Sequence, residues 1–390
     1  MKHRIYLDYA ATTPIASEVL EAMNNCYKCD FGNAQSLHSF GRNANEQLEN
    51  ARAVVAKSIN AKPKEIYFTS GGTEANNWAI FGLARANKDK GNHIIVSMIE
   101  HHSILDSVKQ LEREGFRVSF IPVDKKGIIK YNQLVKLIDK DTILISVMTV
   151  NNEVGTIQPL KAIAELAKSY GILFHTDAVQ ALGLVDIDVK DIQVDAVSLS
   201  AHKIYGPKGI GALYVKDKTK IERLIFGGEQ ERLHRGGTVN VPAVVGFAKA
   251  VELTIKNKKS ANLYIKKLKN YFLENLQKKL PFVTINGSLV QRIPSIINLS
   301  FEGVDAEAVM MLLDLEGIAV STGSACTSGS TLPSHVLGAI YKNKVGVSGI
   351  RFTLSTNTTY DDIDYVVKTL TKIITDLKKL SPLKQKKIGG

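Results

Sequence analysis

The sequence predicts an α/β fold, a mostly parallel central sheet flanked by helices, with a smaller α+β unit toward the C terminus. Three observations predict it. Between Glu65 and Val215, short apolar runs alternate with stretches of helical character. Several of those runs carry no polar face, as expected of strands covered on both sides. A lysine-rich helical stretch, about Pro242 to Lys279, then separates this half from a differently patterned region.

In chain order, Ile5-Tyr-Leu-Asp8 reads as a short strand and Ala10-Ala-Thr-Thr-Pro14 as the turn after it, with Thr13 expected to cap and Pro14 to open a helix. Phe31 to His38 is a polar connector to a helix over about Gly41 to Ser58. Strands are expected at Ile66 to Thr69, His93 to Met98, Arg117 to Pro122, Thr142 to Met148, Ile172 to His175, Ala196 to Ser200 and Ala212 to Val215. Helical segments such as Thr73 to Ala86 and Leu160 to Ser169 separate most of them. The second region offers a strand at Ile296 to Phe301, a helix at Asp305 to Leu315, a loop at Ser321 to Pro333, a strand at Ile350 to Leu354 and an amphipathic helix from Tyr360. There is no internal repeat and no low-complexity segment.

A length of 390 residues suits two or three domain-sized units. No run approaches the roughly 18 apolar residues of a membrane span, and Met1 to Asp8 lacks the apolar middle of a signal peptide, so the expected setting is cytoplasmic. Three cysteines are too few for a disulfide framework. Cys26 and Cys29 lack a second pair to complete a zinc site and read as surface residues. The net charge of +12 is spread along the chain and concentrates only in the tail from Leu377 to Lys387, so direct nucleic-acid binding is not expected.

The chemistry-bearing residues lie where ligands of such sheets bind, at the carboxyl ends of strands and the amino termini of helices. Lys203 follows the run Ala196 to Ser200 and precedes a glycine-rich turn. Partial desolvation there lowers an amine's pKa and readies it for an imine with a carbonyl cofactor. Ser200 and His202 stand beside it as donors to a phosphate. Ser70-Gly-Gly-Thr-Glu opens a helix after a strand, so Gly72 and Thr73 offer N–H groups and a helix dipole to an anion; its spacing matches neither a Walker loop nor a dinucleotide fingerprint.

Asp177 ends an apolar run, and its carboxylate there suits a cation such as a protonated pyridine nitrogen. Gln180 is placed to reach that ring's phenolic oxygen. His101 follows a strand and suits stacking on a ring and proton transfer near neutral pH. Asn152 offers amide donors, Arg351 a fork for an α-carboxylate, and Thr238, in Arg235-Gly-Gly-Thr, a further phosphate donor. Ser321 to Ser330 surrounds the thiol of Cys326 with small residues. A thiol of pKa ~8.5 is only about 3% thiolate at pH 7, so positioning should matter more than acidity.

Together these motifs resemble the cysteine desulfurases, relatives of the class V aminotransferases in the NifS/IscS branch. The likeness runs from Tyr6-Leu-Asp-Tyr-Ala-Ala-Thr-Thr-Pro through Thr69-Ser-Gly-Gly-Thr-Glu, Asn151-Asn-Glu-Val-Gly, His175-Thr-Asp-Ala-Val-Gln, Ser200-Ala-His-Lys, Arg235-Gly-Gly-Thr and Ser324-Ala-Cys-Thr-Ser to Ile350-Arg-Phe. It implies the type I pyridoxal phosphate fold, with a large cofactor domain over 15–255 and a small domain formed by 1–14 with 256–390. It also implies pyridoxal 5'-phosphate on Lys203, with Asp177 at the pyridine nitrogen, Gln180 at the phenolic oxygen and His101 on the ring. Gly72, Thr73, Ser200 and His202 would hold the phosphate, joined by Thr238 from the other subunit of a homodimer.

Asn152 and Arg351 would hold the carboxylate of L-cysteine, and Cys326 would accept its sulfur as a persulfide, releasing alanine. Cys326 would pass that sulfur to an acceptor such as an iron-sulfur scaffold or a tRNA thiolation enzyme, and could transiently ligate a nascent cluster. Two departures stand out: Gly236 where relatives often carry Ser or Ala, and a short tail after Ser381-Pro-Leu where some relatives dock a scaffold. A selenocysteine lyase or ordinary transaminase is the rival among enzymes. A basic scaffold with a degenerate site is the rival among binding proteins.

Overall fold

The structure, a computed structural model, describes residues 4–323, 334–342 and 348–380. Its elements run β1 (Ile5–Tyr6), α1 (Ser17–Cys29), α2 (Ser39–Ser58), β2 (Ile66–Thr69), α3 (Gly72–Ala86), β3 (His93–Ser97), α4 (His102–Arg113), β4 (Arg117–Ile121), α5 (Tyr131–Leu137), β5 (Thr142–Ser146), α6 (Leu160–Ser169), β6 (Leu173–Asp177), α7 (Val189–Ile192), β7 (Ala196–Ser200) and β8 (Gly211–Val215). There follow α8 (Val241–Lys279), β9 (Thr284–Asn286), β10 (Ile296–Ser300), α9 (Ala306–Leu315), β11 (Ile318–Ala319), β12 (Ser321–Thr322), α10 (His335–Tyr341), β13 (Ile350–Thr353) and α11 (Tyr360–Leu380).

Seven strands form the large sheet in the order β2-β8-β7-β6-β5-β3-β4. Five of them, from β7 to β4, run parallel, while β8 is antiparallel to both its neighbours. The strands without a polar face, β2, β3, β5, β7 and β8, are buried at every position, whereas the edge strand β4 is largely open to solvent. Each apolar run read between Glu65 and Val215 is therefore a strand of this sheet. No helix among the described residues is long and apolar enough to cross a membrane.

The stretch from Pro242 to Lys279 forms one helix of 39 residues, α8. Its first half packs Val244, Phe247 and Val251 into the core beside the large sheet. Its second half contributes Ile265, Leu268, Phe272 and Leu276 to a separate core with Ile5, Leu7, Phe352 and Leu370. That second core rests on the antiparallel sheet β12-β13-β10-β9 and reaches the N-terminal segment, because β1 pairs in parallel with β11.

Two local expectations are corrected. Thr13 and Pro14 do not start a helix; α1 begins at Ser17, and its N-cap Ala16 makes no side-chain cap bond. The Thr13 hydroxyl instead donates to the His202 carbonyl at 2.9 Å and accepts from the Tyr205 N–H at 2.8 Å. A long-range partner outbid the local cap. Cys26 is not a surface residue: it lies on the buried face of α1 against Ala44 and Val241, and burial pushes its thiol up to about 11. Cys29 is exposed.

Candidate active site

The parallel strands deliver their polar ends to one region. Asp177 is the last residue of β6, and one carboxylate oxygen accepts the Asn76 amide at 2.7 Å while the other accepts the Val179 N–H at 2.9 Å. Asn76 lies on the buried face of α3, so the helix that opens at Gly72 also supplies the acid's partner. The same amide donates to Ser103 Oγ at 2.9 Å, and that hydroxyl lies 2.8 Å from His101 Nδ1. The Ser103 backbone N–H also points at Nδ1, at 3.1 Å, so the ring proton resides on Nε2. Burial holds the His101 pKa below its ordinary value, with Asp177 opposing and Lys203 reinforcing the shift.

Lys203 ends a 3-10 turn that follows β7. Its Nζ donates to the carbonyls of Ala10 at 2.5 Å and Ala11 at 2.8 Å, and Gln180 Nε2 donates to the same Ala10 carbonyl at 2.8 Å. The N-terminal segment thus receives both residues, while Thr13 fixes the turn's backbone and Thr12 Oγ1 lies 3.2 Å from His202 Nδ1. Burial, with Lys203 and Lys208 adding to it, pushes His202 down to about 4, so this imidazole is neutral at pH 7. A cavity of about 570 Å³ opens between this segment and α8, lined by Tyr9, Ala10, Gln180 and Lys203. Its walls do not include Asp177, His101 or Ser200, so it adjoins the cluster without containing it.

Ser200, the last residue of β7, is fully buried, and its hydroxyl has no hydrogen-bond partner among the described residues. Opposite it, a Cβ at Gly72 would come within 2.6 Å of Val179 and 3.5 Å of Ser200 Cβ, so only glycine permits this close approach. An unpaired buried hydroxyl facing the amino terminus of α3, where Thr73 is the second residue, is what a phosphate would complete. Near Asp177, burial and that residue's charge keep the Glu100 carboxyl well above its ordinary value.

The other wall comes from the smaller sheet. Arg351, on β13, donates to the Asn152 carbonyl at 3.0 Å and to Asp8 at 2.8 Å, while its buried Nε has no partner among the described residues. The fork expected to meet a carboxylate is therefore already held by one. Beside Asn152, the Glu153 carboxyl is buried and accepts the Ser334 hydroxyl. Burial pushes it up to about 7, with Ser334 and Arg351 pulling the other way.

Thr238 stands apart, exposed on its loop with no hydrogen bond to the cluster. That loop is anchored nonetheless: Arg235 grips Glu74 in the first turn of α3 at 2.9 and 3.1 Å. Burial opposes the Glu74 charge, yet Arg235 and the Ser70 N–H hold that carboxyl below its ordinary value. Just upstream, Glu231, Arg232 and Leu233 all adopt positive φ, a strained run secured by a buried two-point pair between Arg52 and Glu231 at 2.7 and 2.8 Å. Cys326 lies outside the described residues.

A model of the class-V aminotransferases matches residues 5–366. The chain belongs to that family, in its cysteine desulfurase branch. It is 48% identical over 386 residues to a cysteine desulfurase IscS of Dictyoglomus turgidum, covering 99% of this chain and 98% of the relative. It is 46% identical to a cysteine desulfurase IscS of Methanosarcina thermophila, covering 98% and 95%. Among solved structures, a NifS-like protein superposes with a TM-score of 0.90 at 36% identity, covering 96% of this chain and all of that one. SspA in complex with cysteine superposes at 0.79 with 36% identity, covering 92% and 100%.

The family depends on pyridoxal phosphate, and the desulfurase chain's own residues fit it: an amine, a buried carboxylate, an unpaired buried hydroxyl and a helix amino terminus. Sequence reasoning assigned no role to Asn76, Ser103, Thr12, Asp8 or Glu153. Asn76 and Glu153 stand inside motifs that were read, but nothing local marks which side chain of a motif turns inward.

Proposed function

We propose that this chain acts as a pyridoxal phosphate-dependent cysteine desulfurase that takes sulfur from L-cysteine as a persulfide on Cys326 and releases L-alanine. The observation that carries this reading is the meeting of Lys203 and Gln180 on the Ala10 carbonyl beside the strand ends that bear Asp177 and Ser200. Lys203 holds the cofactor aldehyde, Asp177 its ring nitrogen, Gln180 its phenolic oxygen and His101 the ring face. Gly72, Thr73, Ser200 and His202 hold the phosphate. When bound, the cofactor supplies an electron sink for the carbon bearing the substrate amine.

Arg351 and Asn152 orient the substrate carboxylate, and Lys203 Nζ moves the α-proton. The Cys326 thiolate attacks the substrate sulfur: the S–S bond forms as the substrate C–S bond breaks, and a proton delivered to that carbon completes alanine. The relatives' printed names support this reading, as does the cysteine held by SspA. A small structural unit of 1–14 with 256–390 beside a large one of 15–255 is supported by the second core, which lies wholly within the small unit, although Ala10, Ile293, Ile296, Val336, Leu337 and Ile340 of that unit pack into the first.

A homodimer in which Thr238 completes the partner's phosphate site agrees with that residue's exposure. It also agrees with the exposed Phe31, Leu37, Phe40, Phe226 and Leu233, whose two loops are tied by a Gln230–Gln35 bond of 2.7 Å. The acceptor in this reading is a protein of the iron-sulfur scaffold or tRNA thiolation kind, in the cytoplasm, with Cys326 as a transient cluster ligand where a scaffold is the acceptor.

The test is a pair of variants. Cys326→Ala should retain the visible absorbance of bound cofactor and lose sulfur transfer; alanine formed at the wild-type rate would remove Cys326 from the mechanism. Lys203→Ala should lower turnover by ~1,000-fold or more, and full activity would refute its role.

A further inference from the structure

The carboxylate of Asp177 and the imidazole of His101 are joined by a chain of hydrogen bonds whose direction can be read from one end. Asp177 Oδ2 only accepts, so the Asn76 atom 2.7 Å from it is the amide nitrogen. The other N–H of that amide runs to Ser103 Oγ at 2.9 Å. Asn76 Oδ1 is buried with no partner among the described residues, so the amide's orientation is set at its nitrogen alone. Having accepted there, the Ser103 hydroxyl turns its own proton to His101 Nδ1, 2.8 Å away. The Ser103 backbone N–H donates to the same nitrogen at 3.1 Å.

Ser103 itself is held in place. His101 is the N-cap of α4, so Ser103 lies in the first turn with its N–H free to meet the capping ring. Its carbonyl accepts Asn77 Nδ2 at 3.0 Å and the Ser107 hydroxyl at 2.7 Å. Two consecutive residues of α3, Asn76 and Asn77, thus grip the side chain and the backbone of one serine.

The lone pair on Nδ1 is the only place where a ring protonated on Nε2 takes a second proton. Two donors already occupy it, and a proton there would turn both attractions into repulsions and undo the cap of α4. The wider surroundings pull both ways. Burial, Lys203 after β7 and His102 on α4 disfavour the imidazolium, whereas Asp177 on β6 and Asp106 on α4 favour it. His335 on α10, whose ring lies 4.9 Å from that of His102, feels the His101 charge as well.

We propose that Ser103 is a positioning residue for the reaction: its hydroxyl, joined to Asp177 through Asn76, holds His101 as the neutral Nε2–H tautomer beside the cofactor. One buried hydroxyl thereby couples the residue at the ring nitrogen to the residue on the ring face. The role in the reaction rests on the proposed placement of His101 on the cofactor ring, whereas the relay is a property of the chain alone.

The experiment follows the ring nitrogens of His101 by nitrogen NMR in the full chain carrying isotope-labelled histidine, cofactor-loaded and cofactor-free, with His101→Gln identifying the signal. Wild type should show Nδ1 unprotonated and Nε2 protonated at pH 7. Ser103→Ala should raise the pH at which Nδ1 takes a proton by about one unit, roughly a tenfold change in that equilibrium. The acid limb of kcat/KM for L-cysteine should move up with it, while the plateau at higher pH stays within about threefold. Ser103→Thr, which keeps the hydroxyl, should titrate as wild type does. Asn76→Ala, which cuts the link to Asp177, should shift the titration of the cofactor-free chain in the same direction by less.

A proton on Nδ1 in wild type overturns the proposal, as does an unshifted titration in Ser103→Ala or an equally large shift in Ser103→Thr. A shifted titration with an unmoved acid limb removes Ser103 from the reaction. If Ser103→Ala does not fold, Asn76→Ala decides by the same titration, an unmoved Nδ1 counting against the relay. Failure of the desulfurase reading looks different: wild type that forms no alanine from L-cysteine sinks that reading, while the nitrogen titration still decides the relay.

Discussion

The wall of the site that carries Lys203 and the wall that carries Arg351 hold their charges in different ways. On the lysine side, the large parallel sheet brings Asp177 and Ser200 to adjacent strand ends, and neutral partners tie the charges: Asn76, backbone N–H groups and the carbonyls of Ala10 and Ala11. On the arginine side, the small antiparallel sheet holds Arg351 against the charged Asp8 and near the buried Glu153. Neutral donors leave the Asp177 charge available to a cationic ring. A charged partner on Arg351 must share it with an arriving carboxylate. The first wall is therefore suited to a resident group and the second to one that comes and goes.

That contrast can be broken at four points, the largest effect first. Arg351→Ala should raise KM for L-cysteine roughly 10- to 100-fold, the loss of charge-assisted bonds to the substrate carboxylate. Steady-state kinetics with cofactor occupancy measured in parallel checks this, and weakened cofactor binding instead would place Arg351 on the other wall. Asn76→Ala should lower pyridoxal phosphate affinity about tenfold by leaving the buried Asp177 carboxylate short of a donor, with KM nearly unchanged. Dialysis against buffer followed by visible absorbance reads it.

Thr13→Val should lower the melting temperature by roughly 2–5 °C, since it removes two bonds that hold the Lys203 turn to the N-terminal segment. Differential scanning fluorimetry in the cofactor-free protein isolates that effect from cofactor binding.

The smallest expected effect is a pH dependence. His175, fully buried between Ser146 and Ser198 at 2.9 and 3.0 Å, is pushed by burial from 6.5 down to about 3. Its folded pKa lies below its unfolded one, so the unfolded chain binds the extra proton between these values. Stability should therefore be full above about 6.5, fall as pH drops toward 3, and change no further below it for this group. Urea midpoints at pH 4.5 and 7 should differ less in His175→Gln than in wild type, and an unaltered difference would rule out the buried neutral ring as a source.

Much of the site was legible because parallel-sheet proteins concentrate function where runs of buried residues end. The apolar run ending at Asp177 and the run before Lys203 told where those groups emerge. Ser70-Gly-Gly-Thr told where a helix begins. What stayed hidden was what each group touches. Thr13 reads as a helix cap because its neighbours permit one, but its hydroxyl serves His202 and Tyr205, nearly two hundred residues away. Cys26 reads as a surface residue because no second cysteine pair accompanies it to complete a zinc site, although the helical repeat turns it toward Ala44 and Val241.

The order of apolar runs and breakers by itself determined the seven strands of the large sheet, the helices between them and the strand ends that carry polar side chains, because solvation acts locally and repeats with the backbone period. Only the tertiary structure decided that the N-terminal carbonyls receive Lys203, that Asp8 shares Arg351, and that Glu153 meets Ser334. Those contacts join residues far apart in the chain, and their partners are chosen by distance in the fold, which no local pattern records.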